Sequence, residues 1–271
     1  MNDCLSRHTR ISKIVGLCVF MICCISCTLC LSAQQWEQVG AKGDWVNTVD
    51  GTYLDGSLYS IEKNGTLFRT DKVGKYEQIG GEGTFKNAKL LYGFEGMLYT
   101  VEGGTLYRTN PQSGKWQQVG EKGDWVNTEA ITGMNGYIYS LESDGSVYQC
   151  DKNTGAYTLL GDKGSFKHAE FFEAMDGFLW TVEAGTLYKT NPKSGRWVRV
   201  GKEGDWEHSV SMVCSQGFLW SIEADGGLYK TDKNGNYEQV SAKTNFSKVT
   251  VLFDFGGKLC VIEDGTLYRM K

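Results

Sequence analysis

Residues 36–75 read WEQVGAKGDWVNTVDGTYLDGSLYSIEKNGTLFRTDKVGK. WEQVG predicts a short strand and AKGD a loop. WVNTVDGTYL predicts a second strand ending in a turn at Asp55-Gly56. SLYSIE alternates with period two and predicts a third. Asn64-Gly65 is a hairpin turn of the kind that wants positive φ at both central positions. TLFRT predicts a fourth strand. Four strands joined by tight turns in one such stretch match a propeller blade.

The stretch recurs along the chain. Trp36, Tyr76, Trp116, Tyr157, Trp197 and Tyr237 mark the same phase, at spacings of 40, 40, 41, 40 and 40 residues. Self-similarity at this period predicts an all-β, six-bladed propeller over residues 36–271. The last copy stops at GTLYRMK, where an aromatic strand should follow, and the first copy begins with that strand, WEQVG. The N-terminal strand is therefore expected to complete the last blade, closing the ring and removing the free ends of the array.

A longer period lies over the first. Odd copies read VGAKGDW, VGEKGDW and VGKEGDW; even copies read IGGEGTF, LGDKGSF and VSAKTNF. Odd copies carry a three-residue hairpin tip, as in EKNGT and ESDGS, and two even copies the shorter EGGT and EAGT. The ring reads as three double blades. With 35 glycines, 2 prolines and 34 aromatic residues, composition agrees with many short strands joined by glycine turns.

Residues 1–33 differ in kind. Arg7, Arg10 and Lys13 precede a stretch, Ile14 to Ala33, without charge. This is a signal-peptide pattern with cleavage expected after Ala33, and hence an extracytoplasmic protein. An uncleaved membrane anchor over residues 14–33 is the alternative. Six of the nine cysteines fall here, leaving Cys150, Cys214 and Cys260 in no disulfide or zinc spacing. The remainder has 25 basic and 31 acidic residues, a net charge of −6. No basic stripe occurs, which argues against nucleic acid as a partner. No nucleophile elbow, zinc-protease helix, phosphate loop or dinucleotide fingerprint occurs, so no catalytic residue, metal or cofactor is assigned.

The order of VGEKGDWVN and GFLWTVEAGTLYKTNPKSGRWVRVG, with LYSIEKNGTLFRT and LYTVEGGTLYRT, resembles the tectonin and tachylectin lectins across residues 36–271. The chain departs from those families in carrying glutamate at 62, 102, 142, 183, 223 and 263, and in lacking the loop tryptophan in even copies. The resemblance implies a non-catalytic propeller that binds glycans in shallow sites repeated near the loops between blades. The residues it carries over are Asp44, Trp45 and Asn47; Asp124, Trp125 and Asn127; and Asp205, Trp206 and His208. Polysaccharide on a cell surface is the implied partner. A protein-interaction platform of the cell envelope and an enzyme with a channel-facing site are the alternatives.

On their own chemistry, these loops suit sugars: a tryptophan offers a rigid plate, and carboxylate or amide meets hydroxyls. The competing reading packs Trp45 between blades and uses Asp44 to tie a turn. For the six glutamates the expectations are a repeated hydrogen bond to backbone, Lys or Arg, or a cluster at the pore that repels or holds a cation. Val49, Lys89, Glu129, Glu170, Val210 and Thr250 form the most variable position, on the presumed inner strands. Solvated drift and a single asymmetric active site are its two readings.

Overall fold

The computed structural model describes residues 36–241, 246 and 248–271. The leader expected over residues 1–33 lies outside them.

The chain opens with β1 (Trp36–Val39). Blade 1 follows as β2 (Thr48–Leu54), β3 (Ser57–Glu62), β4 (Leu67–Thr70) and β5 (Tyr76–Ile79). Blade 2 is β6 (Ala88–Phe94), β7 (Met97–Glu102), β8 (Thr105–Thr109) and β9 (Trp116–Val119). Blade 3 is β10 (Thr128–Met134), β11 (Tyr137–Glu142), β12 (Val147–Asp151) and β13 (Tyr157–Leu160). Blade 4 is β14 (Ala169–Met175), β15 (Phe178–Glu183), β16 (Thr186–Thr190) and β17 (Trp197–Val200). Blade 5 is β18 (Ser209–Ser215), β19 (Phe218–Glu223), β20 (Leu228–Thr231) and β21 (Tyr237–Ser241). Blade 6 holds β22 (Val249–Asp254), β23 (Leu259–Glu263) and β24 (Thr266–Met270). Each sheet has four antiparallel strands, and blade 6 takes β1 as its fourth. Trp36 pairs with Met270, Glu37 with Arg269, Gln38 with Tyr268 and Val39 with Leu267. The six-bladed ring and its closure by the N-terminal strand are as the repeat predicts.

Two local expectations change. Trp45, Val46 and Asn47 are not in a strand. They form turns, with the Val46 N–H donating to Gly43 O and the Thr48 N–H to Trp45 O. Their β-forming side chains serve a connection that must cross from one blade to the next. At Asn64-Gly65 only the glycine has positive φ, 80°. The loop is three residues long, with the Gly65 N–H donating to Glu62 O at 2.7 Å, the arrangement of a type I turn with a bulge. Asp55-Gly56, by contrast, has φ of 47° and 89°, the two-residue hairpin with both central φ positive.

The core is six layers between blades. Each gathers one aromatic from the loop that enters the next blade: Trp45, Phe85, Trp125, Phe166, Trp206 or Phe246. Trp45 packs on Val251, Phe253, Ile262 and Leu267 of blade 6. These layers explain why an aromatic is required in every copy.

Glycine pairs join the outer edges. A Cβ on Gly74, Gly114, Gly155, Gly195 or Gly235 would fall within 2.3–2.7 Å of backbone atoms of Gly40, Gly80, Gly120, Gly161 or Gly201. Each pair sets one blade's outer hairpin against the end of the preceding blade's last strand. At the sixth position the repeat has Ser241. Blade 6 is joined to β1 across the chain ends rather than by a hairpin, so no hairpin glycine presses on Ser241 and a side chain is accommodated. Gly155→Ala combines left-handed strain with this overlap and is expected to cost about 2–5 kcal/mol in denaturant unfolding. Gly136→Ala, at φ 81° with open space around its Cβ position, is expected to cost only the strain, about 1–2 kcal/mol.

Candidate functional site

Each odd blade and the loop that enters it line a cavity, of about 410 Å³ at blade 1, 220 Å³ at blade 3 and 350 Å³ at blade 5. The same repeat positions line all three. Asp44, Trp45, Asn47, Glu62 and Tyr76 line the first. Asp124, Trp125, Asn127, Glu142 and Tyr157 line the second. Asp205, Trp206, His208, Glu223 and Tyr237 line the third. All nine residues singled out in the sequence therefore meet in three equivalent places on alternate blades.

The loop that brings them there is stapled on both sides. The backbone N–H of Trp45, Trp125 and Trp206 donates to Gly265, Gly104 and Gly185 of the preceding blade, at 2.9–3.0 Å. The carbonyls of Asn47, Asn127 and His208 accept from Lys63, Ser143 and Ala224 of the following hairpin, each at 2.8 Å. Asp44 Oδ2 accepts from the Ala41 N–H at 2.8 Å, and Asp124 and Asp205 do the same for Glu121 and Lys202 at 3.3 Å. The aspartates tie the turn with one oxygen and border the cavity.

The tryptophans are not open plates. Trp45, Trp125 and Trp206 are 6 %, 3 % and 2 % exposed. Their rings belong to the layer between blades. The exposed aromatics are instead Tyr76, Tyr157 and Tyr237, 57 %, 51 % and 50 % exposed. Each stands edge-on to a neighbour on the adjacent strand, Phe68, Tyr148 or Tyr229, with ring centres 5.4–6.2 Å apart. These tyrosines mark the phase of the repeat, so the signal was present in the sequence. Their place in the cavity depends on the blade's fourth strand coming from the next copy.

The glutamates are half-buried; five bond to hydroxyls and the sixth, Glu263, to a backbone N–H. Glu62 accepts from Thr48 at 2.8 Å, Glu142 from Thr128 at 2.9 Å and Glu223 from Ser209 at 2.6 Å. These partners sit directly across the sheet. On even blades the same partner is Ala88, Ala169 or Val249. Glu102 and Glu183 instead take Thr100 and Thr181 two residues earlier on their own strand, and Glu263 accepts from the Lys248 N–H. Odd-blade carboxylates are thus held from the inner strand. Among the described residues there is no grouping of three or more His, Cys, Asp or Glu side chains fit to hold a metal.

Burial raises the carboxyl pKa of Glu62, Glu102, Glu142, Glu183 and Glu223, and the neighbouring hydroxyls oppose the shift. Folding therefore favours their protonated form. Their contribution to stability is fully present below the unfolded glutamate pKa and is lost as pH rises through the raised folded value. Glu142→Gln, which removes the buried charge, is expected to melt at least as high as the parent at pH 8 and to lose that relative advantage as pH falls towards 4. Thermal melts across this range measure it.

The odd hairpin's extra residue brings Asn64, Asp144 or Asp225 to the cavity. Its Oδ1 accepts from the backbone two residues on, at 2.9–3.0 Å. Lys163 approaches Asp144 at 3.6 Å. Cys150 lines the blade 3 cavity, and burial pushes its thiol up to about 12.

The variable inner-strand position has a structural meaning. Pairing skips one residue between Thr48 and Asp50, and equivalently in all six blades. The skipped residues are Val49, Lys89, Glu129, Glu170, Val210 and Thr250. A bulge residue owes the ladder no regular pairing, which relaxes its side-chain requirement. His168 and His208 are both exposed.

No family model matches the chain, and no curated protein sequence matches it. Solved structures match in fold. A streptogramin B lyase structure aligns with TM-score 0.62 at 12% identity, over 88% of this chain and 97% of that one. YCF48 bound to D1 peptide aligns with TM-score 0.55 at 16% identity, over 81% and 77%. BamB from Moraxella catarrhalis aligns with TM-score 0.50 at 12% identity, over 82% and 81%. At these identities the likeness is one of fold. The chain is a six-bladed β-propeller, and neither a family model nor a curated sequence places it in a lectin family.

Proposed function

We propose that this propeller is an exported, non-catalytic, multivalent glycan-binding protein whose three odd-blade cavities each hold a sugar residue. The observation that carries this reading is the threefold recurrence of one set of side chains. Each cavity offers carboxylate and amide or imidazole groups beside a half-exposed tyrosine, which suits hydroxyls on one side and a sugar's C–H face on the other. A catalytic centre would call for one distinct site, whereas repetition favours multivalency. One shallow site at millimolar affinity is worth roughly −4 kcal/mol. Three sites on one ring raise avidity for a polysaccharide by about 10²–10⁴.

A glycan array with titration calorimetry tests this. Strong retention on immobilised glycan with weak uptake of the free monosaccharide is expected. A folded sample that binds no glycan at high density refutes it. A second reading, a protein-interaction propeller, is favoured by the ring of half-exposed aromatics on the outer strands, Trp116 and Trp197 included. Capture from the native envelope that free sugar does not compete away would favour it.

A further inference from the structure

A further cavity, of about 720 Å³, breaks the symmetry that the other three keep, and it is larger than any of them. It lies where β22, β2 and β6 begin, at one mouth of the channel that the inner strands surround. Four lysines line it: Lys63, Lys86, Lys89 and Lys248. The sequence scatters them. Lys63 follows β3 in its hairpin, Lys86 lies in the turn that enters blade 2, Lys89 is the bulge residue of β6, and Lys248 precedes β22. All four are exposed, and only the ring gathers them at one basin.

No arginine lines this basin, and its carboxylates are Glu62 and Asp264. Glu62 already accepts from the Thr48 hydroxyl at 2.8 Å. Four cations against two anions leave a formal charge of +2 in a ring whose total is −6. Among the described residues none of the four ammonium groups is in an ion pair, whereas Lys152 pairs with Glu95 and Lys163 with Asp144.

The blade plan does not demand these lysines. At the place of Lys89, blades 3 and 4 carry Glu129 and Glu170. At the place of Lys86, blades 1, 3 and 5 carry Val46, Val126 and Glu207. At the place of Lys248, every other blade carries asparagine or histidine. One arc of the mouth is therefore basic, while the arc across from it holds Glu129, Glu170 and Glu207 against Lys167.

Each ammonium brings three donors and no acceptor. Lysine is a compact point charge and lacks the planar fork with which arginine grips a single carboxylate. Several such charges around one basin suit a ligand that presents anionic oxygens at several points. A cleft lined mainly by one sign of charge focuses the field and draws in such a ligand. The volume is that of a small-molecule site, about 300–1,000 Å³.

We infer that this basin binds a ligand carrying two or more anionic groups, whether carboxylate, sulfate or phosphate. The inference does not rest on the glycan reading. The two meet at one place, because Glu62 and Lys63 line both this basin and the blade 1 cavity. An acidic sugar chain would lie across both; a free polyphosphate would occupy the basin alone.

Calorimetry on the full chain at low salt, with inorganic triphosphate, hexagalacturonate and a glucose hexamer as probes, tests this. At least one anionic probe is expected to bind at least tenfold tighter than the glucose hexamer, with an advantage that shrinks in high salt. Triphosphate binding alone assigns the site to phosphates, and tighter binding of hexagalacturonate assigns it to acidic sugars. Lys86→Val combined with Lys89→Glu is expected to weaken the anionic probe about tenfold. Each substitution installs a residue that another blade carries at the same place, so the fold is preserved, and an unchanged melting curve checks it. Lys233→Ala, between β20 and β21 on blade 5, is expected to bind as the parent does.

A folded parent that binds neither anionic probe overturns the inference. So does anion binding that the double variant keeps, or that Lys233→Ala weakens equally. A glucose hexamer bound as tightly as hexagalacturonate overturns it too, and leaves the glycan reading standing.

Discussion

A chain that begins at Gly40 is expected to melt roughly 10–20 °C below one that begins at Gln34, or not to fold at all. Six residues are lost, and four of them, Trp36–Val39, are the fourth strand of blade 6. Val39 is 3 % exposed and worth about 1.5–3 kcal/mol of burial. The Trp36 ring meets Phe246 edge-on with centres 4.7 Å apart, adding a contribution of similar size. The Glu37–Arg269 pair, with N–O at 2.5 Å, is partly exposed and adds little. Removing the strand also leaves β24 as an uncovered edge with Leu267 beneath it, an invitation to aggregate. The sum approaches the whole stability of an ordinary domain, about 5–15 kcal/mol. A circular permutant sharpens the test. Joining Lys271 to Trp36 through a short linker and opening the chain between β8 and β9 keeps every strand pair, so its melting temperature should stay within a few degrees of the parent. An unchanged melt for the truncated chain would mean that ring closure carries no weight.

Closure was legible because it is a matter of counting: one strand too many at the start and one too few at the end. Period and turn chemistry are local properties and can be read along the chain. The cavities were legible only in part. The sequence sets Asp44, Trp45 and Asn47 side by side but leaves two readings of the tryptophan ring open, a plate for sugar or packing between blades, and the structure has the second. The ring's direction is set by the bond from its backbone N–H to a glycine of the preceding blade, at Gly265 for Trp45. Ser60, which also lines the blade 1 cavity, comes from β3 and Tyr76 from the next copy, so neither can be read together with the loop. The hydroxyl partners Thr48, Thr128 and Ser209 alternate with Ala88, Ala169 and Val249, a signal with the period of two blades. It gains meaning only once the strand register, with its bulge one residue later, sets each hydroxyl opposite a glutamate. Ser241 likewise reads as drift until the glycine pairs are seen and the seam is found beside it.

Replacing Tyr76, Tyr157 and Tyr237 by alanine is expected to abolish retention on an immobilised polysaccharide while the protein stays folded. Each ring is half-exposed, so its loss costs the fold little beyond an edge-on aromatic contact, about 0.5–1.5 kcal/mol each. The functional loss is larger because it is compounded. If three equivalent sites share the binding, one substitution leaves a bivalent protein with reduced avidity. Two leave a single millimolar site, and the gain of about 10²–10⁴ disappears. The third then removes the residual uptake of free sugar. Surface retention and monosaccharide calorimetry on the single, double and triple variants separate these steps. The order in which the tyrosines are removed should matter little, and the steepest fall should come between one substitution and two. A series in which one tyrosine carries the whole effect and the other two carry none would point to a single asymmetric site. In that case the threefold repetition would belong to the architecture of the ring, and the glycan reading would lose the observation on which it stands.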